Sequence, residues 1–282
     1  MRRRDAETLS FRSKRGGGGV LVRPLEVDPD LGRGIDPEDL LLARRSIVGV
    51  LVIAATGRWD PATAIADGVD EPFAALVLDG LMTRERALAN ATSAEIIGQG
   101  DVIDPWSPEP GMLPGETIWT AMVPTKLAVL DLRFLLGLRR WPVLALRLFE
   151  RVSEQNTRTS MHVAINSIPK VEHRILAILW HLAGRSGKVA PDGVIVPLQL
   201  THEAIGHLVG ARRPTVTLAL STLIQQRLIR TEEKGAFLLL EESRAILEPA
   251  LSVAAAAIAN EVDALEPARS TSSRLSDRRR AS

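Results

Sequence analysis

Apolar and polar positions alternate along this chain in three successive styles. From about Leu40 to Asp131, short apolar runs (SIVGVLVIA, AALVLDGLMTRE, TSAEIIG, ETIWTAMV and KLAVLDL) are punctuated by Gly, Pro and Asp. Many short runs with regular turn signals predict a sandwich or roll of β-strands, because no long helical pattern intervenes to build a βαβ sheet. At Pro142 the style changes to helix and stays so until Ala164. A proline fits the first helical turn, where its missing N–H costs nothing. Within this helix Ala145, Leu148, Val152, Gln155, Thr159 and His162 are spaced by three and four residues, a heptad seam that suggests dimerisation. The seam is apolar in its first half and polar in its second, so a single helix packed on its own domain is the alternative. Pro169 breaks the helix, and KVEHRILAILWHLAG predicts another, with Val171, Ile175, Ile178 and Leu179 inward and Gly184 as its stop.

The third style begins at Leu198. In LQLTHEAIGHLVGARRPTVTLALSTLIQQRLIRT, Thr201 can cap a short helix whose inward positions are Ala204, Ile205, Leu208 and Val209. Gly210 supplies a left-handed end. A second helix follows with Val216, Leu220, Leu223 and Ile224 at helical spacing, leaving Arg212, Arg213, Thr215, Thr217 and Ser221 largely on the opposite surface. Two short helices joined by a tight turn predict a helix-turn-helix. Strand-like runs on either side of Lys234-Gly235, and another short β segment with Asp192-Gly193 at a turn, predict the hairpins of a winged helix. A basic, hydroxyl-rich face at a helix N-terminus suits a DNA major groove, since Arg bonds guanine edges in bidentate fashion and Thr reaches phosphate or a thymine methyl. A wing carrying Arg230 and Lys234 would add phosphate contacts.

The 282 residues and 45% hydrophobic content suffice for two cored domains. No apolar run is long enough to span a bilayer and the N-terminus has no secretory pattern, so the expectation is a cytoplasmic protein without membrane contact. With no Cys, disulfides and Cys-ligated metal sites are excluded. The formal charge of +1 would not by itself suggest nucleic acid, but Arg and Lys concentrate in residues 1–15 and 269–282, which read as disordered basic tails. Walker motifs, nucleophile elbows and paired carboxylates are missing from the sequence, so an enzyme is not expected. The five histidines, His162, His173, His181, His202 and His207, lack ligand spacing, and no metal is expected.

The order of these elements resembles the Crp/Fnr family of bacterial transcription regulators. LTHEAIGHLVGARRPTVTLALSTLIQQRLI is similar to that family's helix-turn-helix over its whole length, and FAALVLDGLMTRE followed by IIGQGDVIDPW resembles parts of its cyclic-nucleotide-binding β-roll. The resemblance covers roughly Leu40 to Glu242. It implies an α+β fold divided into a basic tail (1–39), a β-roll or jelly-roll sensor (40–138), a long dimerisation helix (139–166), a winged helix-turn-helix (167–243), and a helical extension with a second basic tail (244–282). It also implies a homodimer on palindromic double-stranded DNA, with RNA polymerase as a further partner. A signal-binding or scaffold protein whose winged helix contacts protein is the alternative reading.

Carried over residue by residue, the resemblance puts Arg213 where the family commonly reads a guanine, and Thr201 and Thr215 where it holds phosphates. Pro214 and Leu218 stand where a base-reading Glu and a second Arg often occur, which points to a different operator. The expected DNA-binding set is Thr201, His202, Arg212, Arg213, Thr215, Thr217, Ser221 and Lys234, with Arg212, Arg213 and Thr217 facing bases and His202 a phosphate neighbour. The family's cyclic-nucleotide binders use Gly-Glu, then Arg, Ser or Thr, and Ala. Here Gly115-Glu116 is followed by Trp119-Thr120-Ala121, with Trp119 in place of Arg. Loss of that charge-assisted contact to phosphate makes a cyclic nucleotide unexpected and leaves any other effector unknown. Trp106 and Trp119 could line an apolar effector pocket, though burial in the core is the commoner role of such residues.

Overall fold

The computed structural model describes residues 9–10, 20–64, 69, 71–88, 91–107, 115–232 and 235–247. Residues 1–8 and 11–19 of the expected N-terminal tail, residues 108–114, Lys234 and residues 248–282, which include the expected C-terminal tail and most of the Ala-rich segment, lie outside them. The chain divides into two compact units, Met1–Ala164 and Ile165–Ser282.

In order, the first unit contains β1 (Leu9–Ser10), β2 (Val20–Val22), α1 (Pro24–Val27), a 3-10 turn (Pro29–Gly32), α2 (Pro37–Ser46), β3 (Gly49–Ala54), β4 (Gly57–Trp59), α3 (Pro61–Ala64), β5 (Ala74–Leu88), β6 (Ala91–Gly98), β7 (Val102–Ile103), β8 (Glu116–Leu130), α4 (Leu132–Arg140) and α5 (Val143–Asn166). Its strands form an antiparallel sheet of order β1-β2-β3-β8-β5-β6, with β4 also on β8 and β7 on β5. The near-continuous apolar run at the start of β5 is explained by burial on both faces. Ala74, Leu76 and Leu78 join one core with Leu25, Leu31, Ile47, Phe134 and Leu144, while Ala75 and Val77 join a second with Trp59, Met82, Ile97 and Trp119.

Four features of this unit differ from the sequence expectation. ETIWTAMV and KLAVLDL are one strand, β8, running through Pro124. Pro124 falls where the β5–β8 ladder shifts register, between the pairs Leu81↔Val123 and Asp79↔Lys126. A proline is tolerated at such an irregularity because no ladder donor is needed. Gly80 (φ 107°) lies on the opposite side of the shift, where a Cβ would stand 2.5 Å from Thr125 Oγ1. The buried Thr125 hydroxyl in turn accepts the Leu81 N–H at 3.1 Å.

Residues 20–39, expected in a disordered tail, are folded, because Leu25, Leu31 and Ile35 are buried in the first core. The short helix α2 and helix α4 also went unread; each carries an Asp cap, Asp36 accepting from Glu38 N and Asp131 from Arg133 N. The heptad seam is split. Gln155 is buried with its Nε2 donating to Glu95 at 3.2 Å, and Leu148 and His162 are half-buried. The exposed stripe of α5 is instead Ala145, Phe149, Val152, Asn156, Thr159 and Val163, with Phe149 69% exposed. It keeps the alternating spacing of four and three residues, shifted around the helix.

Charged pairs fix α5 on this unit. The Arg151 guanidinium lies 2.6 Å from Asp28 Oδ2 and donates to Gly100 O at 3.0 Å. Arg158 pairs with Asp101, whose other oxygen accepts the Gly98 N–H at 2.9 Å. These residues follow the helical repeat of Leu144 and Gln155, so one side of α5 is apolar at its start and ionic further along.

The second unit comprises α6 (Val171–Ser186), β9 (Lys188–Ala190), β10 (Gly193–Val196), α7 (His202–Val209), α8 (Arg213–Gln225), β11 (Ile229–Thr231), β12 (Phe237–Leu240) and α9 (Glu242–Ala245). Its sheet has the order β11-β12-β10-β9, all antiparallel. The expected β-hairpins are therefore present. Helix α6 runs through Gly184 and ends at Ser186, because the Gly187 N–H still bonds Ala183 O. Ile175, Ile178 and Leu179 are buried and Val171 half-buried. The architecture is α+β, an antiparallel sheet domain, a long helix and a helix-turn-helix with a small sheet.

Candidate nucleic-acid interface

Helix α7 begins where the sequence places it. Thr201 Oγ1 accepts the Ala204 N–H at 3.1 Å, and Gly210 closes the helix in the left-handed region at φ 59°. The turn is tight. A Cβ on Gly206 would lie 2.5 Å from Ala211 O, so glycine is what allows the chain to double back there. The Ala211 N–H is held by Gly206 O at 2.9 Å.

Helix α8 then starts at Arg213, with Arg212 as its N-cap and Pro214 in its first turn. Its buried side is Val216, Ala219, Leu220 and Leu223. Ile224, expected inward, is 43% exposed and Ala219 takes its place. Leu228 and Ile229, brought in by a left-handed turn at Arg227 (φ 56°), complete the packing.

The anchored side dictates what the other side presents. Arg212, Arg213, Pro214, Thr215, Thr217, Leu218 and Ser221 are all exposed. Among the described residues no carboxylate pairs with Arg212 or Arg213, whereas Arg230 on β11 pairs with Asp192 at 3.3 Å. The hydroxyls of the face are turned inward. Thr217 donates to Arg213 O (3.0 Å), Ser221 to Thr217 O (2.9 Å) and Thr222 to Leu218 O (3.1 Å). Thr217 Oγ1 is also 2.9 Å from His202 Nδ1. With the hydroxyl proton on Arg213 O, Thr217 accepts from a His202 Nδ1–H, and Nε2 is the nitrogen left for an outside partner.

Of the expected site residues, the structure gathers His202, Thr217 and Arg213 directly, with Arg212 and Ser221 on the same exposed surface. The Thr201 hydroxyl accepts the cap bond, and Thr215 is exposed beside Pro214. Lys234 falls outside the described residues. Leu218, noted in the sequence only as replacing a second Arg and left out of the expected set, is 70% exposed at the middle of this face. The signal was available, a leucine on the polar side of an amphipathic helix.

In the first unit Trp119 is 5% exposed and meets Trp59 edge to face at 6.2 Å between ring centres. The Arg84 guanidinium sits 5.6 Å from the Trp119 ring centre and is ion-paired to Glu95. Glu116 pairs with Arg58 at 2.8 Å. Trp106 is partly buried and donates its indole N–H to Pro61 O at 3.0 Å. Among the described residues no group of three His, Cys, Asp or Glu could hold a metal ion, and no helix is long and apolar enough to cross a membrane.

Comparison with known proteins fits this geometry. Residues 173–244 match the family described as the Crp-like helix-turn-helix domain. The chain is 30% identical over 98 residues to the global nitrogen regulator of Synechocystis sp., covering 35% of this chain and 44% of that protein. It is 29% identical over 115 residues to the global nitrogen regulator of Synechococcus elongatus, covering 40% and 52%. The chain thus spans about half the length of the curated relatives it matches. Among solved structures, a CooA mutant from Carboxydothermus hydrogenoformans superposes with a TM-score of 0.58 at 15% identity, covering 78% of this chain and 94% of that one. FixK2 from Bradyrhizobium japonicum gives a TM-score of 0.52 at 18% identity, covering 70% and 94%.

The fold is therefore that of the Crp-type regulators. Residues 173–244 match the Crp-like helix-turn-helix domain, and the chain as a whole shares its fold with the CooA and FixK2 structures.

Proposed function

We propose that this chain is a sequence-specific DNA-binding transcription regulator that binds palindromic DNA as a homodimer, independently of cyclic nucleotides. The observation that carries the reading is the exposed pair Arg212 and Arg213, at the start of the second helix of a Crp-like helix-turn-helix, with no intramolecular carboxylate partner among the described residues. Cations held this way suit the phosphates and guanine edges of a major groove. Arg213 is the guanine reader, Arg212 and Thr217 face bases, Thr201, His202, Thr215 and Ser221 adjoin phosphates, and Lys234 belongs to the wing.

The dimer is supported by the exposed stripe of α5. Phe149, Val152 and Val163 recur at heptad spacing on the surface, and Asn156 at an interior seam position is the kind of polar residue that fixes register and a two-stranded state. Two-fold symmetry then sets half-sites about 34 Å apart, one helical turn. RNA polymerase is the partner through which a bound dimer alters transcription. Independence from cyclic nucleotides is supported by the sensor's own contacts. Trp119 is buried in the core, and Glu116, in the Gly-Glu element, is engaged by Arg58.

Mobility-shift binding to genomic fragments at moderate salt tests the reading. Sequence-dependent retention is expected for the native chain, unchanged by added cyclic AMP or cyclic GMP. Reversing Arg212 and Arg213 to Glu should abolish it. Indiscriminate binding to all fragments, or none, would refute the proposal.

A further inference from the structure

We infer that Leu218 reads the 5-methyl group of a thymine in each operator half-site. The inference rests on the DNA-binding reading above and names what the middle of α8 recognises.

Leu218 is 70% exposed although α8 already has a complete inward face in Val216, Ala219, Leu220 and Leu223. Packing among the described residues of the unit therefore gives no reason for a leucine there. Its surroundings are cationic on one side, at Arg212 and Arg213, and hydroxylic on the other, at Thr217 and Ser221. Those hydroxyls donate to carbonyls of their own helix, Thr217 to Arg213 O and Ser221 to Thr217 O, so their protons are already committed. What the centre of the face offers outward is carbon: the Leu218 isobutyl group, the Pro214 ring one turn before it, and the Thr217 methyl.

In a major groove the exposed apolar feature of a normal base pair is the thymine C5-methyl. A charged or amide side chain would find hydrogen-bonding groups at any base pair; a leucine gains only where it removes a methyl from water. The flanking guanidiniums, which meet no carboxylate among the described residues, select a polyanion over a protein partner, because an apolar protein surface would leave Arg212 and Arg213 desolvated and unpaired. Leu218 lies five residues beyond Arg213, a rise of about 7.5 Å, on the order of two base-pair steps from the guanine that Arg213 reads.

The test uses the full chain. A random duplex pool is selected, and the enriched operator is resynthesised with each thymine replaced in turn by deoxyuridine, which removes only the methyl. One symmetry-related thymine should matter, with affinity falling about three- to fivefold per half-site. L218A should bind thymine and deoxyuridine operators equally while retaining the melting behaviour of the native chain. Operators that tolerate deoxyuridine at every position, or an L218A variant that keeps the methyl dependence, overturn the role of Leu218 and leave DNA recognition standing. A pool without enrichment overturns both.

Discussion

Arginines do opposite work in the two units. In the N-terminal unit Arg84, Arg133, Arg151 and Arg158 are each held against a carboxylate, three of those carboxylates being 9% exposed or less. At the start of α8, Arg212 and Arg213 are exposed and meet no carboxylate among the described residues. An ion pair formed inside the fold satisfies both charges and fixes an element in place; a guanidinium with no internal partner is available to an external anion. The same residue type therefore marks architecture in one unit and, on the proposed DNA-binding reading, recognition in the other, and the difference predicts which substitutions cost stability and which cost binding.

The largest effect should come from breaking the internal kind. Arg151→Ala would leave Asp28 charged and largely buried and remove the donor to Gly100 O. Loss of one partner from a buried pair costs about 3–5 kcal/mol. Hydrogen exchange should show the loss throughout the N-terminal unit, with amides of α7 and α8 keeping their protection. Equal loss in both units would undo the comparison.

Arg213→Ala should show the reverse. Discrimination between the operator and a site with its guanine changed should fall by about 1–3 kcal/mol, while stability stays within about 0.5 kcal/mol. Competition binding and urea denaturation on the same preparation separate the two quantities. A stability loss matching the binding loss would reassign Arg213 to the architecture.

The helix-turn-helix was legible because its signals are local. Thr201, Gly210 and the spacing of Val216, Leu220 and Leu223 lie within one short stretch, each with a stereochemical reason to be where it is. The α+β class followed from strand runs and helix periods in the same way. The ionic anchoring of α5 was not legible, because Arg151 pairs with Asp28 and Arg158 with Asp101, contacts that only the folded chain brings together. Which register of α5 is exposed was not legible for a related reason. Two heptad registers share Ala145, Val152 and Thr159, and the choice between Gln155 and Asn156 is settled by Glu95 on β6, which claims Gln155. Burial of Leu25 and Leu31 likewise depends on Phe134 and Leu144, residues far along the chain.

A smaller effect belongs to the cap of α7. Thr201→Ala removes the acceptor for the Ala204 N–H and should cost about 1 kcal/mol. Thr201→Ser keeps the oxygen and should recover most of that loss in thermal denaturation. If serine restores stability and operator affinity together, the cap is what Thr201 supplies. If stability returns and affinity does not, its methyl group contributes at the DNA.

The smallest effect provides the closest control. Arg58–Glu116 has nearly the shortest N to O distance of Arg151–Asp28, 2.8 against 2.6 Å, but it makes one contact where Arg151 engages both Asp28 oxygens, and its side chains are 70% and 62% exposed against 16% and 9%. Water already solvates both charges in the exposed pair, and holding two mobile side chains together has an entropic cost. Arg58→Ala should therefore shift stability by only about 0–1 kcal/mol, and raising the salt should erase what shift there is. Exposure and the number of contacts, not distance, would then be what separates the two pairs. A loss approaching that of Arg151→Ala in urea denaturation would mean that Arg58 supports the fold through the β4–β8 pairing, and the division between internal and outward-facing arginines would need to be drawn by strand position as well as by burial.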